Sequence, residues 1–364
     1  MPPATRTQAR RAGPRKPADL PGSLQRRYGR ALRAEVERAV GLEDLPLHGM
    51  IRYHMGMEEA PTSPAKGASA RAGAGKMLRP LLCLLCCEAV RGDYRRALPA
   101  AAALELLHNF TLVHDDIQDE SPSRHGRATV WRIWGRAQAI NVGDGLYAMA
   151  HLAVLRLVDV GVTAAVAAEA ARLLDEACLR VCEGQHLDLA FEERLDVTCD
   201  EYLGMVGHKT AALLAASAAL GALLGEASEE TVAALRAFGR ELGLAFQIQD
   251  DILGIWGESG ETGKPAGDDI LSRKKSFPVV YAFERAVGLD RKRLLVAYAK
   301  PRMGSEDVAT VGAVLERIGA RAHGEEAARQ HTAEALRRLE GLDLVPARRR
   351  DLEAFAAYVT ERRR

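Results

Sequence analysis

Apolar and polar positions alternate with a helical period almost from end to end of this chain. Apolar residues recur at three- and four-residue intervals over Leu24–Val40, Lys76–Val90, Leu98–Asp119, Ala137–Val158, Ala164–Asp188 and Cys199–Leu224. The pattern continues over Glu229–Gly254, Phe277–Arg285, Arg291–Ala299, Glu306–Leu339 and Ala347–Arg362. Each span predicts a helix, and the length of Glu306–Leu339 leaves room for a break. No run keeps the period of two that a half-buried strand requires; Thr129-Val130-Trp131 is too short. Proline, alanine, serine and glycine mark Glu58–Gly75 as a loop. Two more loops, Glu120–Arg136 and Gly257–Lys275, carry charge and glycine together. No solenoid repeat is visible. The expected fold is all-α: one large helical bundle over residues 23–364, after a basic, Pro/Ala-rich disordered tail over residues 1–22.

Composition agrees. Alanine and leucine dominate, aromatics are only 5 %, and a chain of 364 residues can bury a large core. The net charge of +1 offers no general attraction to nucleic acid or to an anionic membrane, so positive charge that matters must be local. The longest uncharged stretch, Thr210–Gly225, is shorter than the ~18 residues a spanning helix needs, so no transmembrane segment is expected. The N-terminus lacks the apolar core of a secretory signal. Cys83, Cys86, Cys87, Cys178, Cys182 and Cys199 follow neither a disulfide nor a zinc-finger spacing. Thiols packed as small hydrophobes in a reducing cytoplasm are the expectation.

Chemistry concentrates where two greasy helices end in carboxylates. LELLHNFTLVHDDIQDE carries Asp115, Asp116 and Asp119; ELGLAFQIQDDILGIWGE carries Asp250 and Asp251, with Gln247 on the same face. Asp115 and Asp119 sit one helical turn apart on one face. One such cluster is usually a solvated acidic patch. Two copies inside apolar segments point instead to hard divalent cations held through carboxylate and phosphate oxygens. Facing each other, they would clamp a diphosphate above a hydrophobic cavity.

Cations gather in matching places. GAGKMLRP sets Lys76 and Arg79 at the mouth of a helix, whose first amides add to an anion site. A Walker loop is excluded, since Ala70 and Met77 stand where glycine and Ser/Thr would be needed. SRHGR supplies Arg124, His125 and Arg127; GQHLD supplies Gln185 and Asp188; HKT supplies Lys209 and Thr210; GKP supplies Lys264.

These motifs, GKMLRP, HDDIQD, SRHGR, GQHLD, HKT, FQIQDD, GKPAGDD and RKKSFP, occur in an order that resembles the trans-isoprenyl diphosphate synthases, the polyprenyl synthetase family. The likeness runs from about Leu24 to the C-terminus. It implies an isoprenoid-synthase bundle with a central hydrophobic cavity, a homodimer, and Mg²⁺-dependent condensation of isopentenyl diphosphate with an allylic prenyl diphosphate. Asp115, Asp116, Asp119, Asp250 and Asp251 would hold two or three Mg²⁺ ions, with Mn²⁺ as a substitute. Arg124, Lys209 and Lys264 would bind the allylic diphosphate, and Lys76, Arg79, His108 and His125 the isopentenyl diphosphate. Gln247 and the backbone near Lys209–Thr210 would face the developing allylic cation.

Two positions depart from the family pattern. Gly254 stands where many relatives have a third aspartate, a loss that Asp268 or Asp269 would offset. His125 replaces a second arginine, with Arg127 a candidate substitute. Product length is implied by the floor of the cavity. The family likeness puts that floor at Thr111 and Phe110, with Leu107 and Leu104 deeper. A small threonine beside one phenylalanine implies a C20 product, geranylgeranyl diphosphate, against a C15 or a longer alternative. A terpene cyclase of the same fold would not need Lys76, Arg79 and His108, and a non-catalytic regulatory subunit would not need the complete first aspartate triad.

Overall fold

The computed structural model describes residues 20–59, 76–257 and 267–361. The chain opens with α1 (Leu20–Val40), α2 (Pro46–His54), α3 (Leu78–Arg91) and α4 (Leu98–Gln118). A short α5 (Val130–Trp134) leads into α6 (Arg136–Leu155), α7 (Ala164–Glu192) and α8 (Cys199–Val206). A single π turn (Gly207–Ala211) joins α8 to α9 (Ala212–Leu224), and α10 (Glu229–Trp256) follows. The remainder is α11 (Asp268–Leu271), α12 (Phe277–Arg285), α13 (Gly288–Tyr298), α14 (Ser305–Ile318), α15 (Ala320–Arg338) and α16 (Pro346–Glu361).

The axis of the bundle is α9. Every residue from Leu213 to Ala222 is buried, and α3, α7 and α10 pack around it. A helix apolar on all sides can only be interior, and its alanines let neighbours approach closely. Its one buried hydroxyl, Ser217, donates to the Leu213 carbonyl at 2.7 Å. The continuous run Cys199–Leu224 has the length and apolarity of a membrane span, but most of it is packed inside the bundle. A second, smaller core around Ile255, Val279, Phe283, Leu294 and Val311 supports the C-terminal helices. All six cysteines are free, and Cys83, Cys86 and Cys87 are fully buried, as thiols used for packing would be.

The long helices fall where the periodicity places them, and the break in Glu306–Leu339 lies at Gly319, where φ is +74°. Four features differ from the sequence expectation. Helix α1 begins at fully buried Leu20, inside the stretch assigned to the tail, with Pro21 in its first turn. Helices α2 and α5 are too short for a period to show. The loop after α4 contains a hairpin, Ser123–Arg124 paired with Arg127–Ala128. Its two turn residues, His125 and Gly126, have φ of 51° and 75°, the primed turn that suits two-residue hairpins.

Candidate active site

Successive helix residues point 100° apart, so the aspartates at the end of α4 divide between two sides. Asp115 and Asp119 share the side that faces Lys209 and Asp188, whose side chains form an ion pair. Burial lifts the Asp115 carboxyl to about 6, with Asp119 and Asp188 adding to the rise and Lys209 and Arg124 opposing it. Asp116, only 2 % exposed, turns the other way, and Arg124 reaches its Oδ1 through both Nε and Nη2 at 2.9 Å. That hold argues against Asp116 as a direct metal ligand.

The π turn presents Lys209. Helix α7 touches it so closely at Gly184 that a Cβ there would lie 2.2 Å from the Lys209 amide nitrogen. The glycine of GQHLD is therefore needed to bring Asp188 to Lys209. Thr210 Oγ1 donates to Gln247 Oε1 at 2.9 Å, and Gln247 Nε2 donates to Asp251 Oδ1 at 3.1 Å. One-residue π insertions recur at functional sites because they re-aim the side chains they carry.

Asp251 is fully buried, and both its oxygens are taken. Oδ1 also accepts from Lys274 Nζ at 3.2 Å; Oδ2 accepts from the Tyr202 hydroxyl and from the Phe277 amide at 3.0 Å. The expectation of Asp251 as a metal ligand does not fit this geometry, because four donors already satisfy the carboxylate. Asp250, its neighbour, is half-buried. The missing third aspartate also has a physical reason. A Cβ at Gly254 would fall 2.2 Å from Asp269 Oδ2, so a carboxylate from α11 fills the space that a longer side chain would occupy.

On the Asp116 side of α4 lies a pocket of about 280 Å³. It brings together Lys76, Arg79, His108, Arg124 and His125, with Tyr53 and His54 from α2. Arg79 Nη1 donates to His108 Nε2 at 3.1 Å. Burial pulls Arg79 down to about 10 against Glu105, and burial followed by Arg79 and Arg124 holds His108 well below the ordinary histidine value. Lys76 Nζ donates to the Tyr358 hydroxyl of α16 at 2.8 Å. His125 is exposed at the hairpin tip. Arg127 is committed elsewhere: it donates to the carbonyls of Tyr53 at 2.9 Å and Glu58 at 2.7 Å, and lies 4.1 Å over the Tyr53 ring. It also lines the pocket, but with two of its donors bound to backbone carbonyls. Lys264 lies outside the described residues. Of the five described non-glycine residues with positive φ, Met77 and His125 line this pocket, backbone strain of the kind found at binding sites.

A model of the polyprenyl synthetase family matches residues 68–316. The chain belongs to the polyprenyl synthetase family. It is 41 % identical over 303 residues to a geranylgeranyl diphosphate synthase of Mycobacterium tuberculosis, covering 83 % of this chain and 84 % of that one. It is 43 % identical over 291 residues to a short chain isoprenyl diphosphate synthase of Methanothermobacter thermautotrophicus, covering 79 % and 86 %. A geranylgeranyl pyrophosphate synthetase structure from Pyrococcus horikoshii superposes with a TM-score of 0.84 at 34 % identity, covering 95 % of this chain and 99 % of that one.

In this polyprenyl synthetase the residues proposed for the cavity floor lie one turn inside the aspartates. Thr111 is half-buried, its Oγ1 donating to the His108 carbonyl at 2.8 Å. Phe110 packs against His114 at 4.9 Å and Tyr147 of α6 at 5.4 Å between centroids, and Leu107 is sealed in the core. Sequence reasoning missed His54, Tyr202, Lys274 and Tyr358. Lys274 stands within RKKSFP, and Tyr202 lies seven residues before Lys209, yet neither carries a local signal of its partner.

Proposed function

We propose that this polyprenyl synthetase is a trans-prenyltransferase that condenses isopentenyl diphosphate head-to-tail with an allylic prenyl diphosphate to give geranylgeranyl diphosphate. The observation that carries the reading is the two-sided end of α4, which offers one acidic diphosphate site and one basic one. Lys209 and Lys264 would bind the allylic diphosphate, and Lys76, Arg79, His108 and His125 the isopentenyl diphosphate; Arg124, expected on the allylic side, instead lines this second pocket, held by Asp116. Gln247, fixed between Thr210 and Asp251, and the backbone of the π turn would face the developing cation. As the allylic C–O bond breaks and the new C–C bond forms, the departing diphosphate is the proposed acceptor of the proton released.

The acidic side suits divalent cations. Asp115 and Asp119 are both raised by burial, and the acidic groups outnumber Lys209. Among the described residues no three carboxylate, imidazole or thiol groups converge tightly enough to cage an ion. Mg²⁺ is ordinarily held by one or two carboxylates with substrate phosphates and water, which fits Asp115, Asp119 and Asp250 acting together with a diphosphate. Bound there, two or three Mg²⁺ (or Mn²⁺) ions would neutralise charge building on the departing group.

A C20 product is supported by threonine at 111 beside Phe110, and by the name of the Mycobacterium tuberculosis relative. A homodimer is supported by apolar side chains left open along α6 and α7: Ile140, Leu152, Leu155 and Leu179 are 47, 65, 53 and 61 % exposed. A cytoplasmic setting is supported by the six free cysteines. Labelled isopentenyl diphosphate supplied with each allylic primer and Mg²⁺, with the products sized, tests the reading; no condensation with any primer would overturn it.

A further inference from the structure

Helix α2 ends on His54, and the hairpin after α4 buttons that end in place. Tyr53 donates its hydroxyl to the Ala128 carbonyl at 2.8 Å, while Arg127 donates back to the carbonyls of Tyr53 and Glu58, on either side of His54. His54 is thereby delivered to the wall of the basic pocket. Its ring lies beside Asn109 in the pocket wall. The Asn109 amide nitrogen is already spent on the Glu105 carbonyl at 2.8 Å and on Glu105 Oε1 at 3.1 Å. Asn109 can therefore offer His54 only an acceptor oxygen. Nε2 of His54 is buried and without a partner among the described residues. Buried polar atoms are nearly always paired, so an unpaired one at a pocket wall points to an occupant.

We propose that His54 is a direct ligand of the diphosphate bound in this pocket, donating from Nε2 to a terminal phosphate oxygen with a proton drawn from solvent as the anion enters. The proposal rests on the assignment of the pocket to isopentenyl diphosphate. In the empty pocket, burial, then Arg124, with Arg127 and His125 adding, hold His54 down to about 4, so the ring is neutral near pH 7. The other charged or titratable groups facing it are His108, Glu105 and Asp116 on α4 and Lys76 and Arg79 at α3. An entering diphosphate offsets those cations and supplies an acceptor for a new N–H. The proton moves from water or buffer to the neutral imidazole, leaving Nε2 a donor, and no bond in the ligand breaks. Arg79 is charged already and takes up nothing.

The test is calorimetric titration of the full chain with isopentenyl diphosphate in two buffers of different ionisation enthalpy, alongside steady-state kinetics. Wild type should take up protons on binding. His54→Gln should abolish most of that uptake and raise KM for isopentenyl diphosphate about tenfold or more, as loss of a hydrogen bond to a charged group implies. Its kcat and its KM for the allylic substrate should stay within about twofold. Unchanged uptake in His54→Gln overturns the proposal, as does uptake lost only in His108→Gln or His125→Gln. Should His54→Gln fail to fold, nitrogen NMR of histidine-labelled wild type decides: the His54 ring must pass from the neutral to the protonated signature during titration, and a static signal overturns it. Arg79→Ala separates the two readings. If it leaves isopentenyl diphosphate binding unchanged, the pocket assignment itself has failed.

Discussion

At the end of α4, Asp115 and Asp119 face Lys209 while Asp116 holds Arg124 on the hairpin that follows. At the end of α10, Asp250 is half-buried while Asp251 is enclosed by donors from α8, α10 and the segment before α12. The two Asp-Asp pairs are identical as text. Their second members organise the surroundings, Asp116 by aiming a cation and Asp251 by joining backbone, while the first members are the ones proposed to meet the metal ions. Helix geometry explains the division, since adjacent residues cannot both face one cleft. Neighbours decide what the averted carboxylate does.

Substitutions should separate these uses. Asp115→Ala and Asp250→Ala should each lower kcat by on the order of 10³ or more, as loss of a carboxylate that helps stabilise a departing diphosphate implies. Steady-state assays with saturating Mg²⁺ that retain activity within tenfold of wild type would break the comparison at its first member. Asp251→Ala should instead cost about 3–5 kcal/mol of stability, because Lys274, Tyr202 and the Phe277 amide lose a buried partner. Denaturant unfolding should show Asp116→Ala losing distinctly less, and equal losses would erase the contrast.

Smaller effects sharpen the picture. Thr111→Phe, on the α4 side, should shorten the product to C15 with activity retained; an unchanged product sized by chromatography would place the floor elsewhere. His125→Arg should lower KM for isopentenyl diphosphate several-fold, because a permanently charged fork replaces a ring that partial desolvation at the pocket mouth, and then Arg124, hold below its ordinary value. A change confined to the allylic KM would assign the residue to the other substrate. On the α10 side, burial and then Arg273 pull Lys275 down to about 8, so between pH 8 and the ordinary lysine value the unfolded chain holds more protons than the folded one. Stability should therefore gain from this residue as pH rises through that window. Denaturant curves across it should show Lys275→Met lacking that gain, and an identical slope would deny the residue its buried charge.

The long helices and the aspartate motifs were readable because a period of 3.6 over twenty residues is a strong signal, as in Leu98–Gln118. Helix α2 spans nine residues, too few to display a period, and with it His54 went unseen. The hairpin turn could have been suspected from His125-Gly126, a pair that tolerates positive φ, but its flanking strands are only two residues each. Which aspartate of each pair faces the cleft depends on distant partners, Arg124 for Asp116 and Tyr202 with Lys274 for Asp251. The π turn adds a residue to a helix without any change in composition to announce it.

The enclosure of Asp251 has a consequence for how this region can evolve. Tyr202, Gln247, Lys274 and the amide of Phe277 meet at one carboxylate, and Gln247 passes the contact on to Thr210. Residues that share a partner do not change independently, and their effects fail to add. The fitness effect of an exchange at position 274 will depend on which residue stands at 202 or 247. Recombination between homologues that splits these positions should yield inactive chimeras, whereas exchange of the whole set should be tolerated. The junction is a linkage group written in hydrogen bonds, and laboratory evolution that samples one site at a time will find it closed.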